Sequence, residues 1–279
     1  MAGFLRAFRI SGEKVSALLR NRYLAWILVG IVFISARTAH GQWKDPRLIA
    51  GQVAFNFAVS FIGKLVHDHQ SPGKALKSAL IEGTVSGIVA HTGYCLTGRE
   101  PQFALVGKTL AQKSSLMTRR SMEAKPVFDK TLFSHWQLTH SFVHFKFDGS
   151  PHFEIDVLNA GATAFYAFSD GYDFDLSRTL YTGSVFFRNE DNAERIRGYA
   201  VPGVVWMDAD WYDEQEILGH ELIHTLQFER GSAIADWRYK KLRFNFLALA
   251  SGVPALLEGW GEHDNRLHER EADLYVGRR

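Results

Sequence analysis

The sequence predicts an α+β protein with an N-terminal helical hairpin region, an antiparallel β meander and C-terminal helices. Three patterns predict it. Small and apolar residues recur at helical spacing through 46–122, aromatics alternate with polar residues through 131–208, and helical spacing returns in 209–279. The composition, 46% hydrophobic and 22% charged over 279 residues, excludes wholesale disorder and low-complexity classes. A net charge of +2, from 32 basic and 30 acidic residues, argues against nucleic acid as a partner. The single cysteine, Cys95, excludes an intramolecular disulfide and a zinc site built from several cysteines.

Residues 1–22 are basic, with Arg6, Arg9, Lys14, Arg20 and Arg22. An apolar run of 13 residues follows, Leu24 to Ala36, and small residues stand at Ala39 and Gly41. The run is shorter than the roughly 20 residues of a spanning helix and fits a signal-peptide core. Segment 1–41 therefore predicts export, as a signal peptide cleaved after Gly41 or as an N-terminal anchor. The expected location is periplasmic or at the cell envelope.

In Leu48 to Val66 the interruptions Gln52, Asn56, Ser60 and Lys64 fall every four residues, so they form one stripe on a helix. Ala50, Ala54 and Ala58 make a smooth ridge beside it. Ser71-Pro72-Gly73 breaks the pattern. A second helix is expected from Lys74 to about Gly93, with Ala79, Gly83 and Gly87 as a small-residue packing face. Glu82 and His91 are unfavourable in lipid, so the hairpin reads as membrane-associated through residues 48–95, or as buried, rather than as two true spans.

Strand patterns follow at 139–147 and 153–157, with candidates at 162–168, 180–188 and 203–207. His140, His144 and Lys146 are placed on the solvent side of their strand. Asp213 and Glu216 form a capping-box pattern for a helix from about Glu214 to Arg230. Asp264 is a cap for a last helix reaching Tyr275, with Gly277 as its stop. Asp208, Asp210 and Asp213 lack calcium-loop spacing and read as turn and cap residues. His67 and His69 flank Asp68 in an expected loop, with no second metal site implied.

The helix at 214–230 contains His220-Glu221-Leu222-Ile223-His224. Histidines four apart on a helix lie on one face, one turn apart, where they can grip one ion. Glu221 stands beside them as a base for a bound water. Leu218, Leu222, Ile223 and Leu226 make this an apolar, buried helix. The last helix offers a third ligand in Glu269, with Asp273 four residues on, able to orient a ligand imidazole. Glu271, Glu262 and His268 are rival ligands. Cys95 reads as a small buried hydrophobe.

These residues, with Glu269-Arg270-Glu271-Ala272-Asp273, resemble the gluzincin metallopeptidases, nearest the HtpX and CAAX-prenyl-protease type. The likeness covers about 20 residues of 279. It implies Zn2+ held by His220, His224 and Glu269, Glu221 as general base, Asp273 as support, and zincin-like C-terminal helices. The implied activity is peptide-bond hydrolysis through a metal-activated water, with a peptide or protein as substrate. His268, His263 and Tyr275 are candidate transition-state stabilisers, and the strand at 203–207 is a candidate cleft wall. The expected divisions are 1–41, a helical region 42–125, a β region 126–209 and a zinc-binding helical region 210–279, with 126–279 as one metallopeptidase-like domain. The alternative is a non-catalytic envelope protein whose zinc only staples two helices.

Overall fold

The computed structural model describes residues 45–67, 70–123, 125, 127–128, 135–147, 150–189, 197–211, 213–230, 237–245 and 267–277. The 1–41 segment, Asp68, His69, Glu262, His263 and Asp264 lie outside the described residues. The α+β class holds.

Helix α1 (Pro46–His67) and helix α2 (Pro72–Arg99) form the expected hairpin. Their axes approach closely because glycines leave room. A Cβ at Gly83 would lie 2.5 Å from Phe57 Cα, and one at Gly87 2.6 Å from Val53 Cα. Helix α2 continues to Arg99, beyond the expected end at Gly93, because its last turns are a packing surface rather than a terminus. Gly93 meets the backbone of Gly107 on helix α3 (Ala104–Met122), which packs along α2. The polar stripe of α1 turns inward: Gln52, Asn56, Ser60 and Lys64 are each at most 3% exposed. Asn56 accepts from Ser114 and Thr118 of α3, and Lys64 pairs with Glu82 at 2.9 Å.

Strands β1 (Trp136–His140), β2 (Val143–Phe147) and β3 (His152–Asp156) make the antiparallel meander. The first sheet is completed by β9 (Leu242–Phe244), parallel to β3, and β8 (Trp237–Tyr239), antiparallel to β9. Its polar side faces inward, which corrects the expected solvent-facing His144 and Lys146. His144 is buried within hydrogen-bond reach of Thr139 and Arg243, with its Nε2 3.4 Å from the Asp156 carboxylate, while Lys146 pairs with Glu154 at 2.5 Å. Phe145 and Phe153, paired across the strands, point outward instead.

Two further strand expectations are corrected. Residues 162–167 fall in helix α4 (Val157–Ala167) and Phe168 follows as its cap; the helix starts there because Asp156 caps it, its carboxylate accepting from the amides of Leu158 and Asn159 at 3.1 Å. The 180–188 stretch is split. Asp175 caps helix α5 (Leu176–Thr182), which stops at Gly183 in the left-handed region (φ 70°), and β5 (Val185–Asn189) follows. The second sheet has the order β4 (Tyr172–Asp175), β5, β7 (Val204–Asp208), β6 (Gly198–Val201), with β5 and β7 parallel.

Helix α6 (Gln215–Arg230) is the buried axis of the molecule, as its apolar positions predict. Ile217, Leu218 and Leu222 pack on Phe186, Val205 and Met207 of the second sheet. Ile223 and Leu226 pack on Tyr94, Cys95, Ala111, and on Ala272 and Tyr275 of helix α7 (Leu267–Val276). Gly277 ends α7 at φ 95° and donates its amide to Asp273 O, so it is the expected stop. Asp213 does not reveal a capping role; its carboxylate accepts from Arg178 at 3.1 Å.

Gly219, immediately before His220, sets the α6–α2 spacing. A Cβ there would lie 2.2 Å from the carbonyl oxygen of Gly98. Ala has the better helix propensity by about 1 kcal/mol, but overpacking against backbone costs about 1–3 kcal/mol. Gly219→Ala is therefore expected to lower stability in a denaturant titration, where an exposed helical glycine would raise it.

Candidate metal centre

Helix α6 presents His220 and His224 from successive turns, and α7 brings Glu269 against them. His220 Nε2 and His224 Nε2 are 3.0 Å apart, and Glu269 Oε2 is 3.0 and 3.1 Å from them. All three side chains are buried. The rings stand nearly perpendicular, at 82°, with centroids 4.7 Å apart, so that both Nε2 atoms point to one place. Among the described residues, these three make up the one group able to hold a metal ion.

The other ring nitrogens each have a polar neighbour. His220 Nδ1 lies 3.1 Å from Asp273 Oδ1, and His224 Nδ1 lies 2.8 Å from Gln227 Oε1. In the neutral imidazole an Nδ1–H leaves Nε2 as a lone pair; His224 Nδ1 can donate to Gln227 Oε1, whereas His220 Nδ1 is within ion-pair distance of Asp273 but not in hydrogen-bond geometry with it. Two lone pairs and a carboxylate then face each other with no donor between them. Such a triangle is stable only around a cation or a proton. The donor set, two imidazoles and one carboxylate, fits a divalent metal ion. His220, His224 and Glu269 thus form a buried group that can hold a metal ion.

A proton is the competitor. Burial pushes His224 down, but the hydrogen bond it donates to Glu269 and the charges of Glu221 and Glu269 outweigh it and raise the imidazole to about 9. Burial raises Glu269, yet hydrogen bonds from His220, His224 and His268 hold it well below the usual carboxylate range. The raised His224 stabilises the metal-free fold fully below its ordinary pKa of 6.5, and that contribution fades as pH rises through 9. The depressed Glu269 contributes fully above its ordinary 4.5 and fades on acidification. Metal-free protein is accordingly expected to be most stable between pH 4.5 and 6.5 as far as this pair is concerned. Melting temperatures against pH check this, and Glu269→Gln should flatten the alkaline limb.

The structure brings together His220, His224, Glu269, Asp273 and, beside them, His268, whose Nε2 is 3.2 Å from Glu269 Oε1. Tyr275 is corrected. Its hydroxyl lies 3.3 Å from Gln52 Nε2 and 3.2 Å from His91 Nδ1, buried among the helices and turned away from the triangle. Helix geometry explains this, since Tyr275 is six residues past Glu269 and so lies about 120° around α7 from it. Glu271 is not a ligand either; it accepts from Gln227, Arg230 and Gln52. The cleft-wall strand is also corrected. β7 is interior to its sheet, whereas β6 is the edge, and Gly198 of β6 would place a Cβ 3.0 Å from Glu221 Cγ.

Gln227 is the residue that sequence reasoning missed. It sits three residues after His224, on the same face of α6, and its spacing alone could have marked it. Its Nε2 donates to His268 O at 2.9 Å and to Glu271 Oε2 at 3.0 Å, which fixes the amide with its oxygen toward His224. Gln227→Leu is expected to weaken metal binding about 10–100-fold, the range for loss of an outer hydrogen-bond partner. Isothermal titration with zinc measures it, with circular dichroism confirming that the helices remain.

Comparison with protein-family models, characterised proteins and solved structures gives no significant match.

Proposed function

We propose that the protein is a zinc-dependent metallopeptidase. The observation that supports it is the buried His220–His224–Glu269 triangle with Glu221 next to it, against an edge strand. When bound, zinc would polarise a peptide carbonyl and acidify a water molecule. The chain's own residues supply the rest. Glu221 takes a proton from the attacking water and returns it to the leaving amine. Gln227 holds the His224 imidazole through its Nδ1, and the Asp273 carboxylate stands 3.1 Å from His220 Nδ1. Among the described residues β6 is the edge strand of its sheet, with Gly198 packed against Glu221, so an extended substrate would pair along that edge beside Glu221. His268, next to Glu269, is the remaining described candidate for stabilising charge on the substrate oxygen.

The test uses the full chain, purified, stripped with a chelator and reloaded with zinc. Zinc-dependent cleavage of a broad peptide library is the expected result. Retention of zinc at one ion per chain with no cleavage of any peptide favours the staple reading, in which the ion only joins α6 to α7.

A further inference from the structure

We propose that the outward face of the α1–α2 hairpin is a lipid-contacting surface, seated in the acyl-chain region of a bilayer. A helix on the surface of a water-soluble domain buries its apolar stripe and shows its polar one. Helix α1 does the reverse. Gln52, Asn56, Ser60 and Lys64 are buried, while Ala50, Ala54, Ala58, Ile62 and Val66 face out. Helix α2 continues the same outer surface with Leu76, Leu80, Ile81 and Ile88. Together with Ile62 and Val66, these four are 45–60% exposed.

Three further observations name the occupant. Pro46–Val66 is long and apolar enough to cross a membrane, and among the described residues 28% of its most apolar stretch is buried. Beyond Arg47, the outward face of α1 carries no charge. Between Arg47 and Lys64 no charged residue occurs, and Lys64 is turned inward onto Glu82, which also accepts from Ser121. Inward, paired charge with apolar residues outside is the arrangement a hydrocarbon solvent selects. The exposed Lys74 and Lys77 lie beside the turn, where long side chains reach headgroups. Finally, α1 begins ten residues after Ala36, the end of the apolar run that predicts export or anchoring. That run, with 13 residues, is too short to cover both helices itself.

The experiment places a single reporter cysteine at Ile62, Leu80 or Ile88 of the full chain, each labelled with a polarity-sensitive fluorophore. Buried Cys95 is the background, measured in the unsubstituted chain. Glu214→Cys, at an exposed position before α6, is the aqueous control. The proteins are reconstituted into phosphatidylethanolamine–phosphatidylglycerol vesicles with or without nitroxide-labelled lipid. Blue-shifted emission and loss of most of the fluorescence to the nitroxide at 62, 80 and 88, but not at 214, is expected. Emission at the three positions as unshifted as at 214 overturns the proposal. So does a blue shift without quenching, which would mean that protein, from this chain or a second copy, covers the face. Unchanged far-UV circular dichroism qualifies each variant, and three independent positions guard against one that misfolds.

Discussion

Glu221→Gln is expected to keep one zinc per chain and to lose about 10²–10⁴-fold in turnover on any peptide that the parent protein cleaves. The separation of the two effects follows from geometry. Glu221 does not belong to the triangle of ligand atoms, so its charge is not needed to hold the ion. Its side chain lies instead against Gly198 of the edge strand, where substrate would pass. The glutamine keeps the shape and removes only the ability to take a proton. Parallel measurement of zinc content and hydrolysis reads the two consequences separately. Equal turnover in parent and variant would remove Glu221 from the chemistry.

Glu269→Gln carries the second large effect. Here the ion itself is expected to go. The two histidines come from one helix, and Glu269 is the ligand that α7 contributes. A carboxamide offers a weaker, neutral oxygen, so the group falls to two good ligands where zinc sites use three or four. The loss should exceed the about 10–100-fold attributable to outer partners such as Gln227. Zinc content after dialysis against a weak chelator measures it. Glu271→Gln is the comparison, because Glu271 is engaged by Arg230, Gln52 and Gln227 and should leave zinc in place.

The grouping of His220, His224 and Glu269 was legible because helical spacing sets which residues share a face, with the resemblance singling out Glu269 from Glu271, Glu262 and His268. His220 and His224 are four apart, Glu269 and Asp273 are four apart, and apolar neighbours announce that α6 is buried. Tyr275 was misplaced because closeness in sequence to Glu269 says nothing about which side of α7 it occupies. The sheets were harder to read. Alternation in β2 separates His144 and Lys146 from Phe145, but it does not say which set faces inward. Here the polar set does, matched by Asp156, Glu154 and Arg243 from neighbouring strands. The same ambiguity attends the α1 stripe, whose four polar residues are legible as a line and not as an interior. Strands β8 and β9, three residues each, are too short to leave a pattern. Helix α4 was hidden because its signal is the capping carboxylate of Asp156 rather than periodicity.

The most direct measurement is anomalous diffraction at the zinc edge from crystals of the zinc-loaded full chain. A single peak within bonding reach of His220 Nε2, His224 Nε2 and Glu269 Oε2, with the remaining position open to solvent beside Glu221, is the expected result. A peak elsewhere, or a fourth protein ligand closing that position, would contradict the account.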